Sequence, residues 1–346
     1  MMATTDDSME YTERLLSILV IEMSLSADMR IRVEARAKDM VEGLTNDAGL
    51  FLHDIDADKH TEDEVNTLIT AFPSALSHVC AYDTNEDEQE DEIRMFVLPI
   101  QAAALEMTRN SIPFLPMLAE KGEKLNVGGE GERGGLLLED SKGYNMLQNL
   151  AKETSADDAV CLDVFKRLRQ SDLLKKQDIR QYELFWYSCQ SHAKERFEYF
   201  VDWDPKALKE YRHEGEPLLH ACTRISKLIE CFPLMLKAGM KYYPEELGFL
   251  FRKDDNGDTA CKLVFDDYGK DEAWRMIEKC LEETHDAKMI KMNSMTNLYP
   301  FILPAAGGEA SDLNPLNYLL RQNPEVLFRV PQDDSLDYGV ERKRKL

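Results

Sequence analysis

The chain of 346 residues is long enough for one extended repeat array or for two ordinary domains, and its apolar share of 43% permits a substantial core. Its formal net charge of −23 argues against nucleic acid and anionic membrane surfaces as partners, because both would repel it. A basic partner is compatible with this charge, although an acidic coat that keeps the protein in solution is the simpler interpretation.

The N-terminal part of the chain is predicted to form a helical cap. Residues 1–8 are polar and expected to be disordered, whereas residues 9–48 carry two helical apolar stripes. The first helix is expected at 10–23 and the second at about 27–44. The inward residues of the second helix are predicted to be Met29, Ile31, Val33, Met40 and Val41. A terminal unit of a repeat array needs the polar outer face that both helices would present.

Three aspartates at alternate positions, Asp54, Asp56 and Asp58, invite comparison with a calcium-binding loop. An EF-hand loop that starts at Asp54 needs glycine at its sixth position and glutamate at its twelfth. Lys59 and Val65 occupy those two positions. We therefore interpret the segment as a solvated loop that begins a helix, and the sequence predicts no metal site.

A short pattern occurs four times along the chain: an apolar pair, then a proline, two variable residues and a leucine. The copies are LITAFPSAL (68–76), FVDWDPKAL (200–208), LIECFPLML (228–236) and LLRQNPEVL (319–327). Proline disfavours helical geometry in the residue before it, so each copy predicts a helix that ends ahead of its proline. The final leucine of each copy is then expected to turn back toward the core.

The third copy belongs to a longer segment, 216–236, which predicts two short antiparallel helices. Pro217 fits the first turn of the first helix, because its missing N–H would have no partner there. One face of the second helix is shared by Ile225, Leu228, Ile229 and Phe232. Pro233 is expected to end this helix. Helices this short are marginal alone, so we expect neighbouring pairs to cover them and to bury Leu228.

Two inserted loops are predicted between the helical pairs. Residues 82–94 hold seven acidic side chains, and such a block stays extended by self-repulsion. The second loop, 128–135, is rich in glycine. It contains Gly129, Gly131 and Gly134 in a formal G-x-G-x-x-G order. A dinucleotide loop requires a preceding strand and a following helix, and Glu130 and Glu132 would repel a phosphate. We interpret it as a connector, with a nucleotide- or small-molecule-binding enzyme as the alternative function.

The most basic and aromatic connector of this acidic chain lies at residues 236–258. Its candidate partner-binding residues are Lys241, Tyr242, Tyr243, Arg252 and Lys253. Exposed aromatic residues next to arginine are typical of hot spots in protein interfaces. The alternative is that the aromatic and apolar side chains of this connector cover the edge of a helical stack, since aromatic residues dominate cores.

Motifs for catalysis and metal binding are incomplete. His213 and Glu214 begin an H-E-x-x-H helix, but Pro217 stands at the position of the second histidine. His220 and Cys222 are two residues apart, which suits neither a helical ligand pair nor a zinc knuckle. We expect His220 to be a core histidine that hydrogen-bonds a neighbouring turn. The sequence thus predicts no enzyme and no cofactor.

Two segments carry a family resemblance. The segment PLLHA (217–221), after the turn at 213–216, resembles the T-P-L-H-x-A element of ankyrin repeats. The segment DNGDTACKLVF (255–265) is similar to an ankyrin turn and first helix without the proline and histidine. Longer blocks across roughly 50–330 resemble a divergent ankyrin-like family of unicellular algae. This resemblance implies stacked helix-turn-helix repeats and protein binding without catalysis.

We therefore expect an all-α, ankyrin-like solenoid of helix-turn-helix pairs over residues 49–330, with an N-terminal helical cap and a flexible tail at 331–346. Its predicted function is a monomeric interaction scaffold for a protein that the sequence does not identify. Seven scattered cysteines indicate reduced thiols, and the acidic start is unlike a signal peptide, so the expected compartment is the cytoplasm. The basic end ERKRKL keeps the nucleus as an alternative.

Overall fold

The computed structural model describes residues 27–83, 94–105, 110–210, 212–213, 215–224 and 229–284, together with the single residues 317 and 321. The chain divides into two compact units, Met1–Ala207 and Leu208–Leu346. The described residues are mostly helical, which confirms the all-α class at that level. The predicted disordered start, the helix expected at 10–23 and the predicted tail lie outside the described residues.

Fourteen α-helices and two short antiparallel ribbons make up the described part of the chain. The helices are α1 (Ala27–His53), α2 (Glu62–Ala71), α3 (Pro99–Ala104), α4 (Leu115–Lys124), α5 (Met146–Lys152), α6 (Asp158–Gln170), α7 (Asp178–Gln181), α8 (Leu184–Gln190), α9 (Lys194–Trp203), α10 (Ala207–Glu210), α11 (Leu218–Arg224), α12 (Cys231–Tyr242), α13 (Ala260–Tyr268) and α14 (Lys270–Glu283). The ribbons pair β1 (Cys80–Asp83) with β2 (Arg94–Val97), and β3 (Arg212–His213) with β4 (Glu216–Pro217). Every helix in this described part is too short or too polar to span a bilayer.

In the first unit, consecutive helical pairs contact one another. Helix α3 packs against α1 and α5, and α5 packs against α8. Helix α4 packs against α2 and α6, and α6 packs against α9. Within the pairs, α1 contacts α2, α3 contacts α4, and α8 contacts α9. In the second unit, α11 packs on α12 and α13, while α14 packs on α12 and α13.

The long helix α1 corrects the prediction for the N-terminal cap. It continues to His53 instead of ending near residue 44, so the expected boundary at 48 falls inside a helix. Met40, predicted to face inward, is 58% exposed. Among the residues of α1 whose side chains the structure describes, Ala48 and Leu52 are buried, and α3 and the 3-10 helix Pro73–Ser77 pack against this helix. The side chains of Met29, Ile31 and Val33 lie outside that described set.

The proline pattern predicts helix ends correctly in two places. Helix α2 ends at Ala71, before Pro73, and the following 3-10 helix buries Leu76. Helix α9 ends at Trp203, before Pro205, and Leu208 is buried. The copy at 319–327 has no described conformation except at residue 321.

The same prediction is wrong at Pro233. This proline lies in the first turn of α12, where the predicted helix was expected to stop. The first turn of a helix has N–H groups without intrahelical acceptors, so proline fits there as well as beyond a helix end. The helix of this segment therefore begins near the proline and buries Leu236. Ile225 and Leu228 lie outside the described residues.

Two turns with the same hydrogen bonds precede α5 and α13. In the first, the Asp140 carboxylate accepts from the backbone N–H groups of Lys142 and Tyr144 at 2.8 and 3.0 Å. In the second, the Asp254 carboxylate accepts from those of Asn256 and Asp258, both at 2.9 Å. Asn145 and Thr259 then cap the two helices with their side chains. Each turn also holds a glycine with positive φ, Gly143 at +77° and Gly257 at +86°.

The buried core of the first unit includes several large aromatic side chains. Phe185 and Trp186 of α8 are buried, and so are Phe197 and Phe200 of α9. The rings of Phe165 and Phe200 meet edge to face with their centroids 4.8 Å apart. The acidic loop predicted at 82–94 is flanked by the first ribbon, and residues 84–93 lie outside the described part of the chain.

Candidate functional site

The five predicted partner-binding residues all lie in the second unit. Lys241 is exposed in the last turn of α12, and Tyr242 is half-buried beside it. Tyr243 ends the helix with φ −133°, because the next residue is Pro244. Arg252 is half-buried and Lys253 is exposed, after the 3-10 helix Pro244–Phe249.

Tyr243 and Arg252 come together with three residues that the sequence analysis did not single out, Lys209, Glu246 and Phe249. The rings of Tyr243 and Phe249 have centroids 4.9 Å apart, and the Arg252 guanidinium lies 5.9 Å from the Phe249 centroid. Arg252 donates a hydrogen bond of 3.1 Å to the Lys209 carbonyl. The Lys209 ammonium lies 5.5 Å from the Tyr243 centroid and 2.5 Å from the Glu246 carboxylate. We call these five residues the cation–aromatic patch.

The backbone beneath this patch has an unusual conformation. Leu247, Gly248 and Phe249 have φ values of +46°, +61° and +70°. Non-glycine residues rarely adopt positive φ, and such strain persists only where packing enforces it. Leu247 is buried, and a Cβ placed on Gly239 of α12 would lie 2.8 Å from the Gly248 carbonyl oxygen. Close packing of the backbone on α12 therefore fixes the position of the Phe249 ring.

The remaining predicted residues stand apart from the patch. The Lys241 ammonium lies 5.0 Å from the ring centroid of its neighbour Tyr242. Lys253 forms an isolated antiparallel bridge with Thr259, the residue that caps α13. The alternative interpretation of this connector was that its apolar and aromatic side chains cover the edge of a helical stack. Leu250 is buried, as that interpretation requires, whereas Tyr242 and Tyr243 are half-buried. The connector therefore combines a buried apolar side with an accessible cationic side.

The glycine-rich loop of the alternative hypothesis packs against α4. A Cβ placed on Gly134 would lie 2.2 Å from the Ala119 carbonyl oxygen, so the glycine allows direct contact with the helix. The neighbouring Arg133 forms a two-bond ion pair with the buried carboxylate of Asp178, at 2.5 and 3.1 Å. It also donates to the Leu173 carbonyl at 3.0 Å. Gly134 thus has a packing role of its own, whereas nothing lies within 4 Å of a Cβ placed on Gly129 or Gly131, whose φ values of +109° and +91° favour glycine.

A small cleft of about 170 Å³ lies beside Lys152 in the first unit, lined also by Ala104, Leu105, Asn149 and Glu153. The Lys152 ammonium lies 2.7 Å from the Tyr144 ring centroid and 4.4 Å from that of Tyr187. Burial lowers the pKa of Lys152, while its contact with Tyr144 acts in the opposite direction. Small-molecule sites usually measure about 300–1,000 Å³, so this cleft is smaller than a nucleotide requires.

His220 occupies the position that the sequence predicts for a core histidine. It is fully buried in α11, and its Nε2 donates a hydrogen bond of 3.1 Å to the Asp258 carbonyl in the turn before α13.

Comparison of the chain with protein-family models, with curated proteins and with solved structures gives no match.

Proposed function

We propose that this protein is a non-catalytic interaction module built from ankyrin-like helical pairs. The order of contacts supports the proposal, because each pair in the first unit packs against the next one along the chain. Helices of two or three turns gain stability mainly from such neighbours. In repeat proteins this construction leaves the turns and one row of helices free for partners.

A recurrence of local structure further supports the repeat proposal. Gly122 of α4 packs on Gly134, and Gly239 of α12 packs on Gly248. In each case the second glycine is followed six residues later by the aspartate that organises a turn, and then by a capped helix. Independent loops would not be expected to share glycine, aspartate and cap at the same spacing. Duplication of one structural unit accounts for it.

Preorganisation of the cation–aromatic patch carries the binding proposal. Its ring and guanidinium positions are fixed by buried backbone and by the hydrogen bond from Arg252 to Lys209, so little side-chain freedom is lost on binding. Tyrosine and arginine are the residue types most enriched in hot spots. The patch holds two cations and one carboxylate, and Lys241 and Lys253 lie nearby in sequence, so this connector is basic in a chain of net charge −23. We propose a protein partner with an acidic segment that carries apolar side chains.

The proposal is tested by capture of cross-linked partners from a native extract with the full chain and with a Lys241→Glu/Arg252→Glu variant. The matched control is Lys279→Glu, which reverses an exposed lysine near the C-terminal end of α14. We expect one protein to be retained by the wild type and by the control, and lost with the double variant. Circular dichroism of all three proteins establishes that folding is unchanged.

The captured protein is then purified and its affinity measured. Loss of a hot spot costs about 2 kcal/mol or more, which corresponds to a decrease in affinity of about 30-fold or more for the double variant. Equal affinity of wild type and double variant would remove the patch from the proposal. Failure of the wild type to retain any protein above a blank resin would count against binding as the function.

A further inference from the structure

Three side chains with metal-binding atoms converge in the first unit, whereas the cation–aromatic patch belongs to the second unit. His53 is the last residue of α1, His78 follows the 3-10 helix Pro73–Ser77, and Cys80 begins β1. One donor atom from each residue lies within 4.8 Å of the other two. His53 is buried, and the other two residues are half-buried. Segments separated along the chain thus supply two imidazoles and one thiol to one place.

The spacing between sulfur and nitrogen already suits a tetrahedral ion. Cys80 Sγ lies 3.6 Å from His78 Nδ1. Zinc binds sulfur at about 2.3 Å and nitrogen at about 2.0–2.1 Å, which places two tetrahedral ligands of these types about 3.6 Å apart. The ligand atom of His53 lies within 4.8 Å of the ligand atoms of the other two residues. A small inward movement of its ring completes a set of three ligands.

Gly49 makes room for one of the ligands. A Cβ placed on this residue of α1 would lie 2.3 Å from Cγ of the His78 ring. Glycine is unfavourable inside a helix relative to alanine, so its presence here needs a packing reason. The contact with the imidazole provides that reason, because any side chain at position 49 would displace His78 from Cys80.

His53 has the hydrogen bond that orients metal-binding histidines. Its Nε2 lies 3.1 Å from the His78 carbonyl oxygen, which can only accept, so Nε2 carries the proton and Nδ1 the lone pair of the neutral ring. A bound ion would displace the proton of the Cys80 thiol.

We propose that His53, His78 and Cys80 bind one Zn²⁺ ion, with solvent at the fourth position. Thiolate with imidazole is a ligand set that suits zinc, whereas calcium and magnesium require oxygen ligands. The ion links the end of α1 to the start of β1, and so ties the first ribbon to the helical unit. A catalytic Cys–His pair is a poorer interpretation, because it leaves the convergence of His53 and the space at Gly49 without a role.

The test is titration of the full chain with Zn²⁺ by calorimetry, and with Co²⁺ by absorption spectroscopy. We expect one Zn²⁺ per chain, a rise in the unfolding temperature, and a Co²⁺ spectrum with thiolate charge transfer and four-coordinate d–d bands. Cys80→Ser is expected to abolish the charge-transfer band and to weaken Zn²⁺ binding at least 100-fold. The matched control is His192→Asn, at an exposed position with φ +57° that asparagine tolerates.

A second variant distinguishes a built site from adventitious binding to scattered histidines. Gly49→Ala retains all three ligands but is expected to displace the His78 ring, and so to weaken Zn²⁺ binding at least tenfold while circular dichroism still shows a folded helical chain. The proposal is overturned if the wild type binds no stoichiometric Zn²⁺, or if the Cys80→Ser and Gly49→Ala variants, both folded, bind it as tightly as His192→Asn does.

Discussion

A Cβ atom placed on Gly122 would lie 2.6 Å from the carbonyl oxygen of Gly134, so helix α4 and the glycine-rich loop meet backbone to backbone. Gly134 has φ +67°, a conformation that side chains other than glycine rarely adopt. The contact therefore needs both glycines, one for space and the other for space and conformation. It explains the glycine at position 134 without reference to a nucleotide.

This contact predicts that Gly122→Ala destabilises the protein although alanine is the better helix former. Overpacking against fixed backbone costs about 1–3 kcal/mol. Over most of that range the cost exceeds the gain in helix propensity, which is about 1 kcal/mol. We expect the free energy of unfolding in urea to fall by up to about 2 kcal/mol, which is the overpacking cost less the gain in helix propensity. Gly43→Ala is the control, because nothing lies within 4 Å of a Cβ at that position of α1.

The control should raise stability by about 0.5–1 kcal/mol, the usual gain for glycine to alanine within a helix. If both variants are stabilised, then the loop moves away from α4 at little cost, and the close approach of the two glycines is not an energetic feature of the fold.

The ion pair between Arg133 and Asp178 predicts a second effect in the same loop. The Asp178 carboxylate has no exposed surface and also accepts from the Lys175 backbone N–H at 2.7 Å. Removal of one partner of a buried pair leaves an uncompensated charge and costs about 3–5 kcal/mol. We expect a loss of this size for Arg133→Met in urea unfolding. Asp178→Asn, added to it, should restore much of the loss, because the neutral amide still accepts from Lys175.

The measurement is a double-mutant cycle of Arg133→Met and Asp178→Asn, which gives the coupling energy of the ion pair. A coupling energy close to zero between the two substitutions would show that solvent reaches the carboxylate and that the pair contributes little. Retained coupling would establish that the glycine-rich loop is tied to α7 by a desolvated charge pair.

Local sequence rules are sufficient to predict the helix ends before Pro73 and Pro205 and the turns at Asp140 and Asp254. Each depends on one residue type in one backbone conformation. Pro233 shows the limit of such rules, because proline suits the first turn of a helix as well as the residue beyond its end. Apolar periodicity likewise indicates a helical face at Met40 but not whether a neighbour covers it.

Contacts between distant residues could not be predicted from spacing. Lys209 lies 34 positions before Tyr243, and His53 lies 25 positions before His78, so no motif links them. Arg196 looks like an ordinary surface residue of a charged segment, yet it is 2% exposed. Its guanidinium pairs with Asp158 at 2.6 Å and donates to the Leu150 carbonyl at 2.5 Å, and such tertiary partners are absent from any local pattern.

His220 predicts how stability in the second unit depends on pH. Burial lowers its pKa below the ordinary value of 6.5, while the hydrogen bond to the Asp258 carbonyl and the charges of Asp254 and Glu216 oppose the shift. Below pH 6.5 the unfolded chain binds a proton at this histidine that the folded chain does not bind. The stability that His220 contributes is therefore present above this pH and is lost as the pH falls toward the lowered pKa.

The measurement is the free energy of unfolding of wild type and His220→Gln from about pH 7.5 to about pH 5. On acidification the wild type should lose free energy of unfolding relative to His220→Gln, by at most about 1.4 kcal/mol per pH unit for one proton. Glutamine can still donate to the Asp258 carbonyl but does not titrate, and His220→Asn is a second neutral replacement that should give the same trend. A difference that stays constant over this range for both variants would mean that His220 takes up its proton equally in the folded and unfolded chain.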